Sequence, residues 1–565
     1  MLLNPKKETF DHLDPASRDL MKKTVEFFEN KGKDKLKEDS HERRWYADFL
    51  DFLKENQIFA KFLTPSAYAD DPDTRWETLR NCDFNEILGF YNLSHWYAWQ
   101  VSILGLGPIW MSKNETIKKK TAQMLKDGGI FAFGLSERAH GADLYSSEMS
   151  LTPLGDGKYV ADGGKYYIGN ANKAALVSTF GKDSETDDFV FFAVSPEHEN
   201  YDLIQNVVNW DGYVAEYALN SYPITDEDIL EYGREAWDAA LNTVNVGKFN
   251  LGWGAIGIST HAFYEALNHA SHRNLYGNYV TDFPHIKQLF VDAYARLAAM
   301  KLFSQRATDY FRSASANDRR YLLYNPMVKM KVTTQGEEVV NLLWDVIAAR
   351  GFEKDVYFEM AATDIRTLPK LEGTVHVNMA LIVKFMANYF FNPAEFPEIP
   401  KRNDPADDEF LFNQGPTKGL GKIQFHDYNI AYNSVDMPNV NIFKEQIQTL
   451  TEFLVNAAPS KEQAQNIDFL LTIGELFTLV AYGQLIIEKY NMENFDDDLL
   501  EQIFDFMVRD FSKYALEVYY KRDSNAKQQE MCLKMLKKPV VDYDRFDRFW
   551  KNHVYALRDA YEMNK

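Results

Sequence analysis

The chain has 565 residues, of which 45% are hydrophobic and 15% aromatic, and this composition excludes a disordered or linker-dominated protein. Its 83 acidic and 62 basic residues give a formal net charge of -21, so most of the surface repels nucleic acid and anionic lipid headgroups. We therefore expect a globular protein of two to four domains that has no nucleic-acid partner and binds any anionic ligand through a local basic patch.

The cysteines and the apolar segments give expectations about location. Cys82 and Cys532 offer neither a disulfide framework nor metal-ligand spacing, which predicts a reducing compartment. The N-terminal sequence MLLNPKKETF lacks the apolar core of a signal peptide, so we predict a cytoplasmic location. The most apolar stretch, residues 469–487, is interrupted by Glu475 and Gln484. A charged side chain is costly inside a bilayer, so we predict a buried helix and no membrane association.

The first half of the chain changes from a helical to a strand pattern. Residues 1–130 carry apolar residues at helical spacing, as in WYADFLDFLKENQIF, and we predict an N-terminal helical domain. After Gly128, short runs rich in β-formers alternate with turn signals such as GDG and GG. These runs predict a small β domain over residues 131–225.

The second half is predicted to be helical. Helical spacing returns near residues 236–272, 284–314, 327–349 and 374–391, which predicts a four-helix bundle within a domain of residues 226–395. The proline-rich and charged segment 392–407 reads as a linker. Residues 396–565 predict an additional helical domain. The predicted class is therefore α+β, mainly α.

Three segments stand out as candidates for chemistry: FGLSERAHGADL at 133–144, KYYIGNANKA at 165–174 and RGFEKDVYFEMAATDIRTLPKLEGTVHV at 350–377. A fourth, HRNLYG at 272–277, follows a long predicted helix. Together, in this order and spacing, they resemble the motifs of the acyl-CoA dehydrogenase family over roughly residues 10–395. The long C-terminal extension resembles that of the longer members of the family, and chain length also invites comparison with acyl-CoA oxidases.

In that family, the Glu of the Glu-Gly-Thr sequence is the base that removes the α-proton of an acyl thioester. The resemblance assigns this role to Glu372. From the residues alone, Glu372 lies between Pro369 and a helix-forming run that starts at Thr374, so its carboxylate is expected near a helix N-terminus. The alternative for such a Glu is a helix-capping carboxylate without chemistry.

Some family members draw the base from the first long helix of the bundle, at a position that is Gly247 here and cannot serve. Nitroalkane oxidases use Asp at the base position, so Glu372 also argues against their chemistry. His269 and His272 are three residues apart, but no Glu-x-x-His set completes a di-metal site, and we predict no metal.

The resemblance also implies an FAD cofactor and a set of contact residues. Arg273 is expected to meet the pyrophosphate, from the same or a neighbouring subunit, and Tyr276 to pack on the cofactor. The implied FAD contacts as a group are Phe133, Leu135, Ser136, Tyr167, Gly169, Arg273, Tyr276, Thr374 and His376. The implied substrate contacts are Ala142, Lys248 and Gly373. For Lys248 a solvated helix lysine is the alternative, and for Tyr167 and Tyr276 an ordinary aromatic core.

Several positions depart from the family pattern. A Ser that often contacts CoA is Ala142 here, and a Thr on the flavin strand is Gly169. The family usually has a Gln, and then a Gly-Gly pair, before the Gly-Phe sequence. Here the position of the Gln is Asp345, and the two glycine positions, 348 and 349, are both Ala. A carboxylate near a pyrophosphate is repulsive unless a cation such as Arg350 neutralises it.

The predicted function is FAD-dependent α,β-dehydrogenation of an acyl-CoA to the trans-2-enoyl-CoA, as in fatty acid β-oxidation. An electron-transferring flavoprotein is the expected acceptor, and a homodimer or homotetramer the expected assembly. Two alternatives stay open. One is an acyl-CoA oxidase that passes electrons to oxygen, and the other is a non-catalytic family member that acts as a binding or assembly partner.

Overall fold

The sequence pattern at the N-terminus produces seven helices before the first strand. A computed structural model describes residues 1–565, and these helices are α1 Pro15–Lys31, α2 Lys33–His41, α3 Ala47–Glu55, α4 Ile58–Leu63, α5 Thr78–Tyr91, α6 Leu93–Met111 and α7 Glu115–Lys126. Helix α6 is apolar on every side, and all its residues from Leu93 to Trp110 are buried. A helix that is apolar all round belongs in a core, and α6 is the central helix of this region.

The β-rich run forms one eight-stranded sheet. Its strands are β1 Phe131–Gly134, β2 Ser150–Gly155, β3 Lys158–Gly169, β4 Leu176–Asp183, β5 Phe189–Val194, β6 Tyr201–Asn206, β7 Val214–Thr225 and β8 Ile229–Tyr232. The order is β6-β7-β3-β2-β4-β5-β8, and β1 pairs in parallel with β4. Phe131 lies opposite Leu176 and Phe133 opposite Ser178. This register fixes the end of β1, where the first motif segment begins.

Helix α6 packs directly on β1 and β3. The Asn170 amide, at the end of β3, donates to the carbonyls of Ala98 (2.9 Å) and Phe131 (3.1 Å). A Cβ on Gly105 would lie 2.5 Å from the Ala132 nitrogen, so only glycine allows this approach of helix and strand. The ends of both motif-bearing strands are therefore positioned by α6.

The bundle region contains helices α8 Gly233–His272, α9 Pro284–Arg312, α10 Tyr321–Met327, α11 Thr333–Ile347, α12 Tyr357–Asp364, α13 Val375–Ile382 and α14 Met386–Phe391, with a short hairpin of β9 Asn274–Leu275 and β10 Asn278–Tyr279. The third predicted stretch starts at 321 rather than 327 and includes a π-helix at Val328–Val332. Proline is common at the start of a helix, but Pro326 lies inside α10, just before the π-helix.

Seven more helices complete the chain: α15 Asn429–Asn433, α16 Pro438–Asn456, α17 Lys461–Gln465, α18 Ile467–Glu493, α19 Asp497–Tyr519, α20 Ala526–Lys534 and α21 Tyr543–Phe549. The predicted linker, residues 392–407, contains no helix or strand. Helix α18 is long and apolar enough to cross a membrane by length and composition alone, but 83% of its apolar window is buried by other parts of the protein. It is therefore a core helix, as predicted.

The residues group into two units, which we describe separately. The sheet unit contains residues 7–250, 403–418 and 563–565, and the bundle unit contains residues 1–6, 251–402 and 419–562. The predicted mainly helical α+β class, with helical regions before and after a β domain in the chain, is confirmed. The boundaries of the four predicted domains stay a prediction.

The close approach of α6 to β1 generates a test of the sheet unit. Gly105→Ala forces the new methyl group into the backbone of Ala132, so we expect a loss of about 2 to 3 kcal/mol in stability. Gly164→Ala is the control, because its Cβ would meet nothing closer than the Tyr217 carbonyl at 3.7 Å. Urea unfolding followed by circular dichroism measures both. Equal unfolding midpoints for the two variants would contradict the packing described here.

Candidate active site

Glu372 lies in a strained turn of the bundle unit. Its φ is +52° and that of Gly373 is +83°, so two successive residues are left-handed. This conformation costs a non-glycine residue roughly 1 to 3 kcal/mol and occurs preferentially at functional sites. Glu372 is partly buried. The turn therefore presents the one candidate base at a position where strain must be offset by surrounding contacts.

Helix α13 begins directly after this turn. The Thr374 side chain caps the helix by accepting from the Val377 N–H. The Asn378 amide donates to the carbonyls of Gly373 (3.1 Å) and Thr374 (3.0 Å). Thr374 and His376 are exposed. The expected position of Glu372 just before a helix is thus what the structure has, but the capping residue is Thr374 and not Glu372.

A buried lysine contacts the same turn. Lys329, in the π-helix, is fully buried, and its Nζ donates to the carbonyls of Pro369 and Gly373, both at 2.6 Å. The sequence analysis missed Lys329. The signal that could have found it is the run NPMVKMKV, in which lysines interrupt an otherwise apolar helix.

The first motif segment leaves β1 and joins β3 in the sheet unit. Phe133 is buried in β1, while Leu135 and Ser136 are partly exposed. The Ser136 hydroxyl donates to the Tyr166 carbonyl (2.8 Å), and the Tyr166 N–H donates to the Ser136 carbonyl (3.0 Å). Tyr167 follows with a φ of +67° and is 46% exposed. The structure therefore brings Phe133, Leu135, Ser136 and Tyr167 together, and the core interpretation of Tyr167 is wrong.

Glu137, the Glu of the first motif segment, anchors this segment to β3. Glu137 accepts from the Lys165 ammonium (2.8 Å), the Ser147 hydroxyl (2.6 Å) and the N–H groups of Glu148 (2.7 Å) and Met149 (3.1 Å). Burial raises the pKa of Glu137, but the Lys165 charge and these hydrogen bonds outweigh it, so the pKa is lowered. Burial lowers the pKa of Lys165 to about 8, against the pull of Glu137. The buried ion pair ties residues 137–149 to β3.

Glu137, His140 and Glu148 have ligand atoms within 4.8 Å of one another, a spacing that could hold a metal ion. The Lys165 ammonium, however, already lies 2.8 Å from the Glu137 carboxylate. A cation in contact with a ligand atom disfavours a second cation at the same place. The geometry gives no reason to change the prediction of a protein without a metal site.

Gly169 departs from the family pattern for a steric reason. A Cβ at this position would lie 2.7 Å from Tyr97 Cε1 and 2.8 Å from both the Tyr97 hydroxyl and Val101 Cγ2. The Tyr97 ring in turn packs edge-on against Trp210, with ring centroids 5.3 Å apart. Tyr97 thus occupies the space where a threonine side chain would be, so Gly169 contributes backbone alone. Sequence reasoning gave no indication of Tyr97.

Helix α8 contains Gly247 and Lys248, for both of which the sequence analysis made predictions. The Gln100 amide donates to the Gly247 carbonyl (2.8 Å), and a Cβ on Gly247 would lie 2.3 Å from Leu104 Cδ2. No side chain fits there, which agrees with the exclusion of Gly247 as a base. Lys248 is only 7% exposed, so the alternative of a solvated helix lysine is wrong. Ala142 is exposed.

A cationic cluster lies at the end of α8 in the bundle unit. The Arg273 guanidinium is 3.4 Å from His269 Nε2, and burial together with the charges of Arg350 and Arg273 lowers the pKa of His269 to about 4. Tyr276, in the adjoining hairpin, is 96% exposed, so its interpretation as core is wrong. Asp345 is also exposed.

The predicted site residues therefore fall into two sets, one in each unit. The sheet unit holds Phe133, Leu135, Ser136, Ala142, Tyr167, Gly169 and Lys248, and the bundle unit holds Arg273, Tyr276, Glu372, Gly373, Thr374 and His376. Within the bundle unit, the turn at Glu372 and the cluster at Arg273 are each defined by their own contacts. The contact role of each residue stays a prediction.

The anchor role of Glu137 can be tested by removing its charge. Glu137→Gln leaves the Lys165 ammonium buried without its counter-charge, so we expect a loss of about 3 kcal/mol or more in stability. Glu216→Gln makes the same chemical change in an ion pair with the exposed Arg138 and should cost less than about 1 kcal/mol. Urea unfolding of the two variants provides the comparison, and a Glu137→Gln protein as stable as wild type would exclude the anchor.

Comparison with known proteins agrees with the motifs. Residues 235–387 match the family model of the acyl-CoA dehydrogenase C-terminal domain. The 3-(aryl)acrylate reductase of Clostridium sporogenes is 23% identical over 287 residues, which are 50% of this chain and 75% of that protein. An acyl-CoA dehydrogenase of Bacillus subtilis is 22% identical over 293 residues, which are 50% of this chain and 75% of that one.

Among solved structures, an acyl-CoA dehydrogenase from Bacillus anthracis, complexed with FAD, superposes with a TM-score of 0.77 at 15% identity and covers 99% of this chain and 97% of its own. Butyryl-CoA dehydrogenase from Megasphaera elsdenii has a TM-score of 0.58 at 20% identity, over 68% of this chain and 98% of its own. These likenesses show the fold, including that of the C-terminal extension in the first case. Together with the matched domain and the curated relatives, they support the resemblance of this chain to the acyl-CoA dehydrogenase family.

Proposed function

We propose that this protein binds FAD and dehydrogenates an acyl-CoA thioester between Cα and Cβ, with Glu372 as the base. The observation that carries the proposal is the turn of the bundle unit, in which a partly buried carboxylate is held in a left-handed conformation. A residue kept in such a conformation indicates a functional constraint. A capping residue would not need it, since Thr374 already caps α13.

Each unit, taken by itself, contains residues that suit part of an FAD cofactor. In the sheet unit, the partly exposed Leu135 and Ser136 adjoin the exposed ring of Tyr167, and together they would hold a flavin ring. In the bundle unit, the Arg273 guanidinium lies 3.4 Å from His269, and burial, together with the positive charges of Arg350 and Arg273, lowers the pKa of this histidine. An anionic pyrophosphate would neutralise this charge. When bound, FAD supplies a two-electron acceptor for the hydrogen that leaves Cβ as hydride.

Glu372 performs the proton transfer. Its carboxylate accepts the proton from Cα as the electron pair of that C–H bond forms the new double bond. The first requirement is a carboxylate that the substrate can reach, and Glu372 is only partly buried. The fixed turn supplies the second requirement, which is that the acceptor oxygen stays in one place relative to the substrate.

The electron acceptor, the direction of the reaction and the oligomeric state are further parts of the proposal. One relative is named as a subunit of a caffeyl-CoA reductase-Etf complex of Acetobacterium woodii, which supports an electron-transferring flavoprotein as the partner. Its name and that of the acrylate reductase also fit the reverse reaction, in which Glu372 would return a proton to Cα. We further propose a cytoplasmic enzyme of fatty acid β-oxidation that forms a homodimer or homotetramer.

The base assignment is tested by Glu372→Gln. We expect this variant, reconstituted with FAD and mixed anaerobically with acyl-CoAs of graded chain length, to bleach the flavin band at least about 1000-fold more slowly than wild type. Glu353→Gln, which removes an exposed carboxylate in the same motif segment, should bleach at the wild-type rate. Stopped-flow absorbance measures all three proteins.

The other outcomes separate the alternatives. Equal bleaching by wild type and Glu372→Gln would show that another group is the base. Bound flavin that no thioester reduces would reject the dehydrogenation, while flavin that does not bind would favour the non-catalytic partner. If hydrogen peroxide forms in air at the rate of substrate oxidation, the protein is an acyl-CoA oxidase.

A further inference from the structure

We propose that Lys329 is the positioning residue of the base: its buried ammonium holds the turn so that the Glu372 carboxylate stays in place to take the substrate's α-proton. This inference rests on the proposed function and deepens it. It assigns a role to a residue that lies 43 positions before Glu372 in the sequence, in the π-helix and not in the turn.

The contacts of Lys329 bracket Glu372. Its Nζ donates to the Pro369 carbonyl and to the Gly373 carbonyl, each at 2.6 Å, so the ammonium joins both ends of the segment that contains residues 370–372. Hydrogen bonds from an ammonium to an oxygen are shorter and stronger than those between neutral groups. The side chain therefore closes a ring around the base and limits the movement of the backbone that carries it.

The turn needs this support. Glu372 and Gly373 are both left-handed, at φ values of +52° and +83°, and a chain free to relax would leave this conformation. Asn378 contacts the turn only from the side of α13, at the carbonyls of Gly373 and Thr374. Lys329 is the residue that holds Pro369, on the side before Glu372.

The local helix geometry agrees with a functional role. Lys329 and Lys331 both lie in the π-helix Val328–Val332, and both are buried. The Lys331 ammonium points elsewhere, to the rings of Tyr482 and Tyr514 at 5.8 and 5.9 Å. A single π-turn inside an α-helix is typical of functional sites, and burying an ammonium is costly unless oxygen atoms receive it. Here the carbonyls of Pro369 and Gly373 receive the Lys329 ammonium.

Lys331 supplies a matched control for the experiment. Lys329→Met and Lys331→Met each remove one buried ammonium from the same π-turn, and they leave a side chain of similar length. Both are made in the full-length, FAD-reconstituted protein, together with Lys329→Gln, which keeps two N–H donors. Each is compared with wild type by melting temperature and FAD affinity, so that loss of folding is separated from loss of function.

The first readout is the exchange of α-deuterium from a labelled acyl-CoA into solvent, followed by mass spectrometry. It requires proton transfer to the base but no change in flavin oxidation state. We expect Lys329→Met to slow this exchange and flavin reduction about 100-fold, the effect of a displacement of about 1 Å at a reacting group. FAD affinity should stay within about threefold of wild type. Lys331→Met should exchange within about threefold of wild type, and Lys329→Gln should lie between the two.

The second readout is amide hydrogen exchange over residues 369–378, which reports on the turn whether or not the protein is an enzyme. We expect faster exchange there in Lys329→Met and no change in Lys331→Met. If wild type never exchanges α-deuterium, the proposed function is wrong, and amide exchange alone then decides whether Lys329 holds the turn. Equal protection of this segment in all variants would overturn the assignment of Lys329, and so would equal α-deuterium exchange in both methionine variants when wild type does exchange.

Discussion

An ammonium group that leaves water is costly unless hydrogen-bond acceptors receive it, and this cost links the interior of the bundle unit to the turn that carries Glu372. Lys329 offsets this cost with two backbone carbonyls, those of Pro369 and Gly373. Because these carbonyls lie on either side of Glu372, satisfying the lysine also fixes the turn. The position of the carboxylate thus follows from the needs of a buried cation, and the strain of its left-handed backbone is held by the same contact.

The π-helix that carries Lys329 is itself supported by the C-terminal helices. On this side Lys331 is buried near Tyr482 and Tyr514, and Asp510 accepts two hydrogen bonds from Arg296 at 2.7 and 2.8 Å. Burial lowers the pKa of Lys331, and the nearby Asp510 charge opposes this shift. The helices after the predicted linker therefore pack against the π-helix that supports the turn at Glu372, within the bundle unit, and do not form a separate body.

Much of the fold could be predicted from periodicity, because helical and strand spacing are local properties. The switch near Gly128, the sheet, the long helices and the buried nature of α18 all follow from such patterns. Glu372 could be found because its motif is contiguous. The contacts that hold the site could not, because Lys329 meets Gly373 across 44 residues and Lys165 meets Glu137 across 28. Pairings of this kind depend on tertiary packing and leave no periodic signal.

The departures from the family pattern lie in both units: Ala142 and Gly169 in the sheet unit, and Asp345 with the alanines at 348 and 349 in the bundle unit. At Gly169, Tyr97 occupies the space that a larger side chain would need. In the bundle unit, Glu372 has a left-handed backbone conformation that glycine would adopt at lower cost. A protein that only bound partners would gain stability by relaxing this position. The strained turn at Glu372 therefore agrees with the proton transfer proposed for this residue.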